Sequence, residues 1–488
     1  MLIIIKNHTF QYDVENIAEI FFPYEKIKMF TPEELKNADE AVKNDPIRVL
    51  TEKNGAKLHV EAFVWDEHLA LETGVSEGSD GKNEMAVLMY RVLSKILGIE
   101  YPWGILYGVR PARFMHSLTD KFSADEARNI FKNQYLVTDE KINLTQSVME
   151  RENRTIALSK DNSFSLYVSI PFCPTRCSYC SFVSHSIENT HKLIEPYVKL
   201  LGDELIATAN YAKNLGLRLE SVYFGGGTPT ILTPRQLEFL FKTIAENFNL
   251  TTNREYTVEA GRPDTITPEK LETLINFGVD RISINPQTFN DDVRAHIGRR
   301  HTTEETLKAY DMAKRAGFKN INMDFIAGLP TETVQSFCDS INKAIALEVP
   351  SITVHTLSLK SGAYMATREN AFDFTDARLA KSMVEYSQKV LSKSGYVPYY
   401  MYRQGKCLGN LENVGWCKND MDCLYNIFMM DETHTVLAVG AGAVTKLKNP
   451  KTGKISRIYN YKYPYEYIDH FGEILRRKEA FVPFYAEI

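Results

Sequence analysis

Residues 167–182 read YVSIPFCPTRCSYCSF. The alternation of aromatic, β-branched and small residues up to Ile170 predicts a strand. Cys173, Cys177 and Cys180 then follow in a C-x3-C-x2-C array. Three thiolates on one short loop can converge on one centre. Structural zinc needs four ligands and usually takes them as two paired knuckles, and this chain has no second C-x2-C pair. A cubane iron–sulfur cluster held by three cysteines instead leaves one iron open to a substrate or cofactor. The chain has 7 cysteines, and chance seldom gathers three of them so closely as mere buried thiols.

Downstream the rhythm of that first strand repeats. β-rich runs are expected at Ser165–Ile170, Glu220–Phe224, Glu255–Glu259, Arg281–Asn285, Ile321–Ile326 and Ser351–His355. Helical patterns separate them at about Ile194–Lys213, Pro234–Glu246, Pro268–Phe277, Thr303–Ala316 and Thr331–Leu347. Strands alternating with helices call for parallel pairing and right-handed crossovers, in a doubly wound sheet or an incomplete barrel. Both place ligands at the C-terminal ends of the strands, where every motif below lies.

The whole chain has 488 residues, 44% of them apolar, which excludes a single small module and a disordered chain. Mean hydropathy is -0.27, and no apolar run approaches a membrane span. The short start MLIIIKNHTF lacks the pattern of a secretory signal, and an odd cysteine count argues for a reducing, cytoplasmic setting. Residues 1–160 carry 20 Lys+Arg against 25 Asp+Glu, which accounts for the whole formal charge of -5. An acidic front lacks the basic footprint that nucleic acid requires. Three segments are therefore expected: an acidic α/β and helical domain over 1–160, a barrel over 164–373, and a C-terminal α+β lobe over 374–488 that covers the substrate.

The cysteine array resembles the radical S-adenosylmethionine signature, with Tyr179 as the aromatic before the last cysteine. The likeness continues through Phe224-Gly225-Gly226-Gly227-Thr228-Pro229-Thr230, Val258-Glu259, Ser283–Phe289, Gly298-Arg299-Arg300-His301 and Asp324–Pro330. In this order the motifs resemble the oxygen-independent coproporphyrinogen III oxidase family. Trp65–His68, Gly108–Pro111 and Asn410–Gly415 are similar to its HemZ-type branch. The resemblance implies a partial (β/α)6 barrel, a 4Fe-4S cluster on Cys173, Cys177 and Cys180, and S-adenosylmethionine as cofactor. It assigns Gly226, Gly227 and Thr228 to the amino-acid end of that cofactor and Glu259 to its ammonium. Gln287 and Asp324 fall to the ribose, Arg299 to the carboxylate, the Tyr179 backbone to adenine, and Tyr167 to the neighbourhood of the sulfonium, where the reaction starts. The implied reaction is radical decarboxylation of coproporphyrinogen III propionates to vinyl groups in heme biosynthesis. It involves a tetrapyrrole, an unidentified electron donor and an acceptor. Arg300, Arg403 and Lys406 are candidate partners for anionic propionates.

Phe182 stands where well-characterised oxidases of this family carry a further cysteine, and here it matches the branch that includes heme-binding chaperones. Their His-Asn-x-x-Tyr-Trp motif has only Leu411–Trp416 as a counterpart. A heme chaperone and a radical heme-modifying methyltransferase are the alternatives. Cys407, Cys417 and Cys423 offer thiols for an auxiliary cluster, but their spacing matches no ferredoxin run. Gly440-Ala441-Gly442-Ala443 is too short of glycines, and too soon interrupted by Pro450, for a dinucleotide loop.

Overall fold

The computed structural model describes residues 1–108, 110–182, 185–358, 360, 363–367 and 374–486. Val109, inside the Gly108–Pro111 motif, and residues 368–373, just before the expected boundary at 374, lie outside the described residues. The chain forms two compact units. One comprises Met1–Gln146 with Tyr402–Glu412, the other Ser147–Met401 with Asn413–Ile488.

The first unit is built on β1 (Leu2–Lys6), β2 (Lys28–Phe30), β3 (Ile47–Asn54), β4 (Lys57–Val64) and β5 (Glu67–Gly74), in the order β2-β1-β3-β4-β5. In β4 every second residue, Leu58, Val60, Ala62 and Val64, is fully buried, so one face of the sheet is core. The helices Gln11–Phe21 and Lys82–Leu97 pack their apolar stripes in the same core. Helix Lys82–Leu97 ends at Gly98 in the left-handed conformation (φ 63°), as the position of that glycine predicts.

The second unit carries β6 (Ser163–Ile170), β7 (Phe172–Cys173), β8 (His185–Ser186), β9 (Arg218–Gly226), β10 (Glu255–Glu259), β11 (Arg281–Ser283), β12 (Asn320–Ala327) and β13 (Ser351–Thr356). β6, β9, β10, β11, β12 and β13 pair in that succession, every pair parallel. The expected partial (β/α)6 barrel is therefore the fold. The strands are buried nearly end to end because helices cover their outer faces. Thr-Pro starts set two of those helices: Thr233 caps Pro234–Asn247 in a capping box with Gln236, and Thr267 caps Pro268–Asn276.

The C-terminal strands are not a separate layer. β14 (Val397–Tyr402) and β15 (Asn413–Cys417) extend the sheet beyond β13, with β15 antiparallel to it. β16 (Thr435–Val439), β17 (Val444–Lys448) and β18 (Ile455–Tyr459) extend the other edge, with β16 parallel to β6. This differs from the expected lobe over 374–488, and the reason is edge satisfaction: an open barrel leaves two unpaired strand edges, and these segments cover both. Gly440 turns at φ 94° between β16 and β17, where a Cβ would lie 2.6 Å from the Ser169 carbonyl oxygen. That loop braces the end of β6: Ser169 Oγ donates to the Ala441 carbonyl (2.8 Å), and Gly440 N–H donates to the buried Glu204 (2.7 Å).

Candidate functional site

The cysteine loop leaves β6 through Pro171 and is pinned on three sides. Gly227 N–H donates to the Ile170 carbonyl (2.7 Å) and Thr228 N–H to that of Phe172 (2.8 Å), so the glycine-rich loop adds its backbone to the start of the cysteine loop. Thr228 Oγ1 donates to Cys173 Sγ at 3.4 Å. On another side, Ser178 N–H donates to the Ile297 carbonyl (3.0 Å) and Thr175 Oγ1 to that of Gly298 (3.2 Å). Met365 N–H donates to the Ser178 carbonyl at 3.0 Å. A Cβ on Gly227 would stand 2.6 Å from the Phe172 carbonyl oxygen, so glycine is required by loop-on-loop packing. Gly226, at φ 105°, requires it by conformation.

Cys177 is buried, and Cys173 and Cys180 are half-buried. Burial, and then the charge of neighbouring Cys177, push the Cys180 thiol up to about 11. A thiol raised in this way gains by binding a cation that removes its proton. Among the described residues no three His, Cys, Asp or Glu side chains converge as a single metal ion requires. A cubane takes each thiolate at a separate iron, so three cysteines spread along one loop suit a cluster better than zinc.

Inside the barrel the rings of Tyr167, Tyr223 and Tyr425 stack, with Tyr223 4.4 Å from Tyr425 and Tyr167 5.9 Å from Tyr425. Tyr223 donates its hydroxyl to Glu259 Oε1 at 2.6 Å. Burial pushes the Glu259 carboxyl up to about 7; Tyr223 opposes the shift and the charge of Asp324 adds to it. Burial works the same way on Asp324, but His355 and Asn322 outweigh it and hold that carboxyl below its ordinary value. Asn322 Nδ2 donates to Asp324 at 2.7 Å, and His355 Nε2 lies 3.8 Å away. The carboxyls of Glu259, at the end of β10, and Asp324, within β12, are thereby split, one held below its ordinary range and one poised near neutrality. Burial, followed by the charge of Glu259, raises the Tyr167 phenol.

Gln287 is buried in the left-handed region at φ 66°. Its backbone is bridged to β12, its N–H donating to the Asp324 carbonyl (2.9 Å) and its own carbonyl accepting from Ile326 N–H (3.0 Å). Its side-chain Oε1 is buried with no partner, a strained and unsatisfied group at the site's edge. Arg299 is only 8% exposed and donates to the carbonyls of Asn285 and, at 3.5 Å, Gly261. Tyr179 and Cys177 lie against its guanidinium. His301 is pushed down to about 2 by burial and by Arg299, Arg294 and Arg262, so it is neutral.

Gly226 and Glu259 end β9 and β10, and Cys173, Cys177, Tyr179, Cys180, Gly227, Thr228, Gln287 and Arg299 lie in segments that follow barrel strands, whereas Tyr167 and Asp324 lie within β6 and β12. No motif in the sequence includes His355, Tyr223 or Tyr425. His355 lies near the end of the sixth barrel strand, as Glu259 ends the third, and that position was the available signal. Tyr425 arrives from beyond β15 and has no local signature.

Arg403 is buried in the first unit, 4.9 Å over the Trp103 ring, with one amino group on the Asn410 carbonyl (3.1 Å), and is not presented to an outside propionate. Arg300 is 73% exposed and pairs with Glu188 at 3.0 Å, and Lys406 is exposed in the first unit. Cys417 donates to Asp422 (2.8 Å) and Cys423 to Glu255 (3.5 Å), so both are buried, hydrogen-bonded core groups.

Residues 167–344 match the radical SAM superfamily. The chain is 38% identical over 394 residues to the oxygen-independent coproporphyrinogen-III oxidase-like protein HemZ of Bacillus subtilis, covering 80% of this chain and 79% of that protein. It is 30% identical over 305 residues to the heme chaperone HemW of Haemophilus influenzae, covering 62% of this chain and 75% of that one. The solved structure of coproporphyrinogen III oxidase (HemN) from Escherichia coli superposes with a TM-score of 0.52 at 22% identity, covering 66% of this chain and 71% of that one, a likeness of fold.

Proposed function

This chain belongs to the HemZ-type, coproporphyrinogen-III oxidase-like branch of the radical SAM family, and from that membership we propose that it decarboxylates coproporphyrinogen III propionates to vinyl groups without oxygen. Its cofactors are a 4Fe-4S cluster and S-adenosylmethionine. The cysteine loop, seated on the glycine-rich backbone beside a split pair of carboxyls, is the observation that carries the reading. Cys173, Cys177 and Cys180 would hold the cluster, which together with S-adenosylmethionine supplies, when bound, a one-electron route to a 5′-deoxyadenosyl radical.

The chain's own residues bind and orient. Gly226, Gly227 and Thr228 present backbone where a larger residue would disturb the cysteine loop. Glu259 accepts the cofactor ammonium, Asp324 and Gln287 offer acceptors to ribose hydroxyls, and the Tyr167–Tyr223–Tyr425 stack walls the barrel interior against water. Because Glu259 is poised at about 7, its ionised form and hence S-adenosylmethionine binding grow as pH rises through that value. One pH unit below, about a tenth of it is ionised, so affinity is expected to fall roughly tenfold there. Calorimetric titration across this range checks the slope, and Glu259→Gln should bind weakly and without it; a wild-type affinity independent of pH would remove Glu259 from the ammonium site.

Anaerobic incubation of the reconstituted protein with S-adenosylmethionine, a reductant, an electron acceptor and coproporphyrinogen III tests the reaction. Protoporphyrinogen and 5′-deoxyadenosine are expected together. If 5′-deoxyadenosine forms while the porphyrinogen is untouched, the substrate assignment fails. The likeness to HemW and the 69% exposed Phe182 favour a second reading, a heme chaperone, which stoichiometric heme binding without turnover would select.

A further inference from the structure

We propose that Glu332 is a positioning residue for S-adenosylmethionine: by accepting from the Thr288 hydroxyl it holds Gln287 in its left-handed conformation and so keeps the Gln287 amide at the cofactor ribose. The inference rests on the reading of Gln287 as a ribose contact.

Gln287 is a non-glycine residue at φ 66°, a conformation that persists only where the surroundings over-determine it. Its own N–H and carbonyl are tied to β12, but through an isolated bridge beyond the end of β11 at Ser283. The chain that follows is fixed by a clamp on Thr288, which is fully buried. Thr288 Oγ1 donates to Glu332 Oε1 (2.5 Å), and Asn290 N–H donates to that same hydroxyl (3.0 Å). From the other side Arg294 Nη2 donates to the Thr288 carbonyl (3.0 Å). Helix Val334–Ala346 contributes two serines. Ser340 Oγ accepts from Phe289 N–H (2.9 Å), and Ser336 Oγ accepts from Asn290 Nδ2 (3.0 Å) and donates to Glu332 Oε1 (3.2 Å).

Glu332 is itself only 5% exposed. Among the described residues its carboxyl meets the Thr288 and Ser336 hydroxyls through one oxygen, and its Oε2 is buried with no partner. Burying a carboxyl for two hydroxyl bonds is costly, and both bonds serve the segment that begins at Gln287. The direction of a side chain follows its backbone, so relaxation of Gln287 toward the extended region would carry its amide away. Gln287 Oε1, buried without a partner, is the acceptor that the clamp presents.

The test titrates the full chain, reconstituted anaerobically and matched for iron content, with S-adenosylmethionine in the absence of reductant. Glu332→Ala and Gln287→Ala are each expected to weaken binding about tenfold, and the double variant no more than Gln287→Ala alone, because both remove one contact. Glu332→Gln keeps an acceptor oxygen and should bind within about twofold of wild type, a rescue that a role for the charge would not give. Thr288→Val should behave as Glu332→Ala does, alone and with Gln287→Ala, and it decides the matter should Glu332→Ala not fold. Wild-type affinity in Glu332→Ala overturns the inference, and so do losses that multiply in the double variant, which would make the effect of Glu332 independent of Gln287. Wild-type affinity in Gln287→Ala instead removes Gln287 from the ribose, the reading on which the inference stands.

Discussion

Cys177→Ala is expected to leave a folded protein that no longer holds a 4Fe-4S cluster and forms no 5′-deoxyadenosine. Cys177 is the most buried of the three loop thiols and the middle one in sequence, flanked by the two contacts, through Thr175 and Ser178, that join the loop to residues 297–298. Its loss removes one corner of the cluster's anchorage. Changes one layer outside a metal site already cost about 10–100-fold in affinity, so loss of a ligand should cost more than ~100-fold. The side chain itself is small and its replacement by alanine deletes only the sulfur, so stability should change little. Cys338→Ala, at a buried cysteine on the helix Val334–Ala346, is the control and should keep the cluster. Iron content, the visible absorption of the oxidised cluster and the EPR signal of the reduced one read the result. A Cys177→Ala protein that retains all three would sink the ligand assignment.

Glu412 carries the largest expected effect on stability. In the first unit its carboxylate meets Lys141 Nζ at 2.5 Å and accepts from Trp103 Nε1–H at 2.6 Å, and none of the three side chains is more than 2% exposed. Glu412→Ala removes the counter-charge of the Lys141 ammonium in the core, and breaking a buried pair by removing one partner costs about 3–5 kcal/mol. Glu412→Gln should lose most of this as well, since an amide can still accept from Trp103 but cannot neutralise the lysine. The pair Lys141→Met with Glu412→Leu should recover much of the loss, because burying two apolar groups avoids the desolvation of both charges. Urea unfolding followed by tryptophan fluorescence measures all three. A Glu412→Ala protein within about 1 kcal/mol of wild type would show that the pair is no keystone of the unit, against the usual cost of breaking a buried pair. The same result bears on Asn410–Gly415, because its Glu412 has a structural task that needs no ligand.

Much of the barrel was legible because its signals are local. Each strand is a short run of β-branched and aromatic residues, and each crossover helix announces its start. Thr302 with Glu305 forms a capping box for Thr303–Ala316, which ends at Gly317 in the left-handed conformation (φ 107°). The helix expected over Thr331–Leu347 begins at Val334 because Thr333 is its cap, accepting from Ser336 N–H. The fourth strand, expected over Arg281–Asn285, stops at Ser283, and the chain returns to the sheet only as a single bridge at Gln287. Gln287 lies at φ 66°, which a run of apolar residues does not foretell.

The candidate site was readable for a related reason. A three-thiol loop, a glycine-rich turn and acids at strand ends each occupy a few consecutive residues, and a parallel barrel brings strand ends together whatever the details of packing. By itself, then, the sequence determined the six parallel strands and the loops that carry cysteines, glycines and carboxyls. Only the tertiary structure decided that Tyr402–Glu412 joins the first unit around Trp103, that β16 completes the edge beside β6, and that Tyr425 stacks on Tyr167 and Tyr223. Caps, turns and periodicity act over a few residues and leave their mark there, whereas the pairing of segments hundreds of residues apart depends on which buried charge finds its counter-ion and which open edge finds a strand.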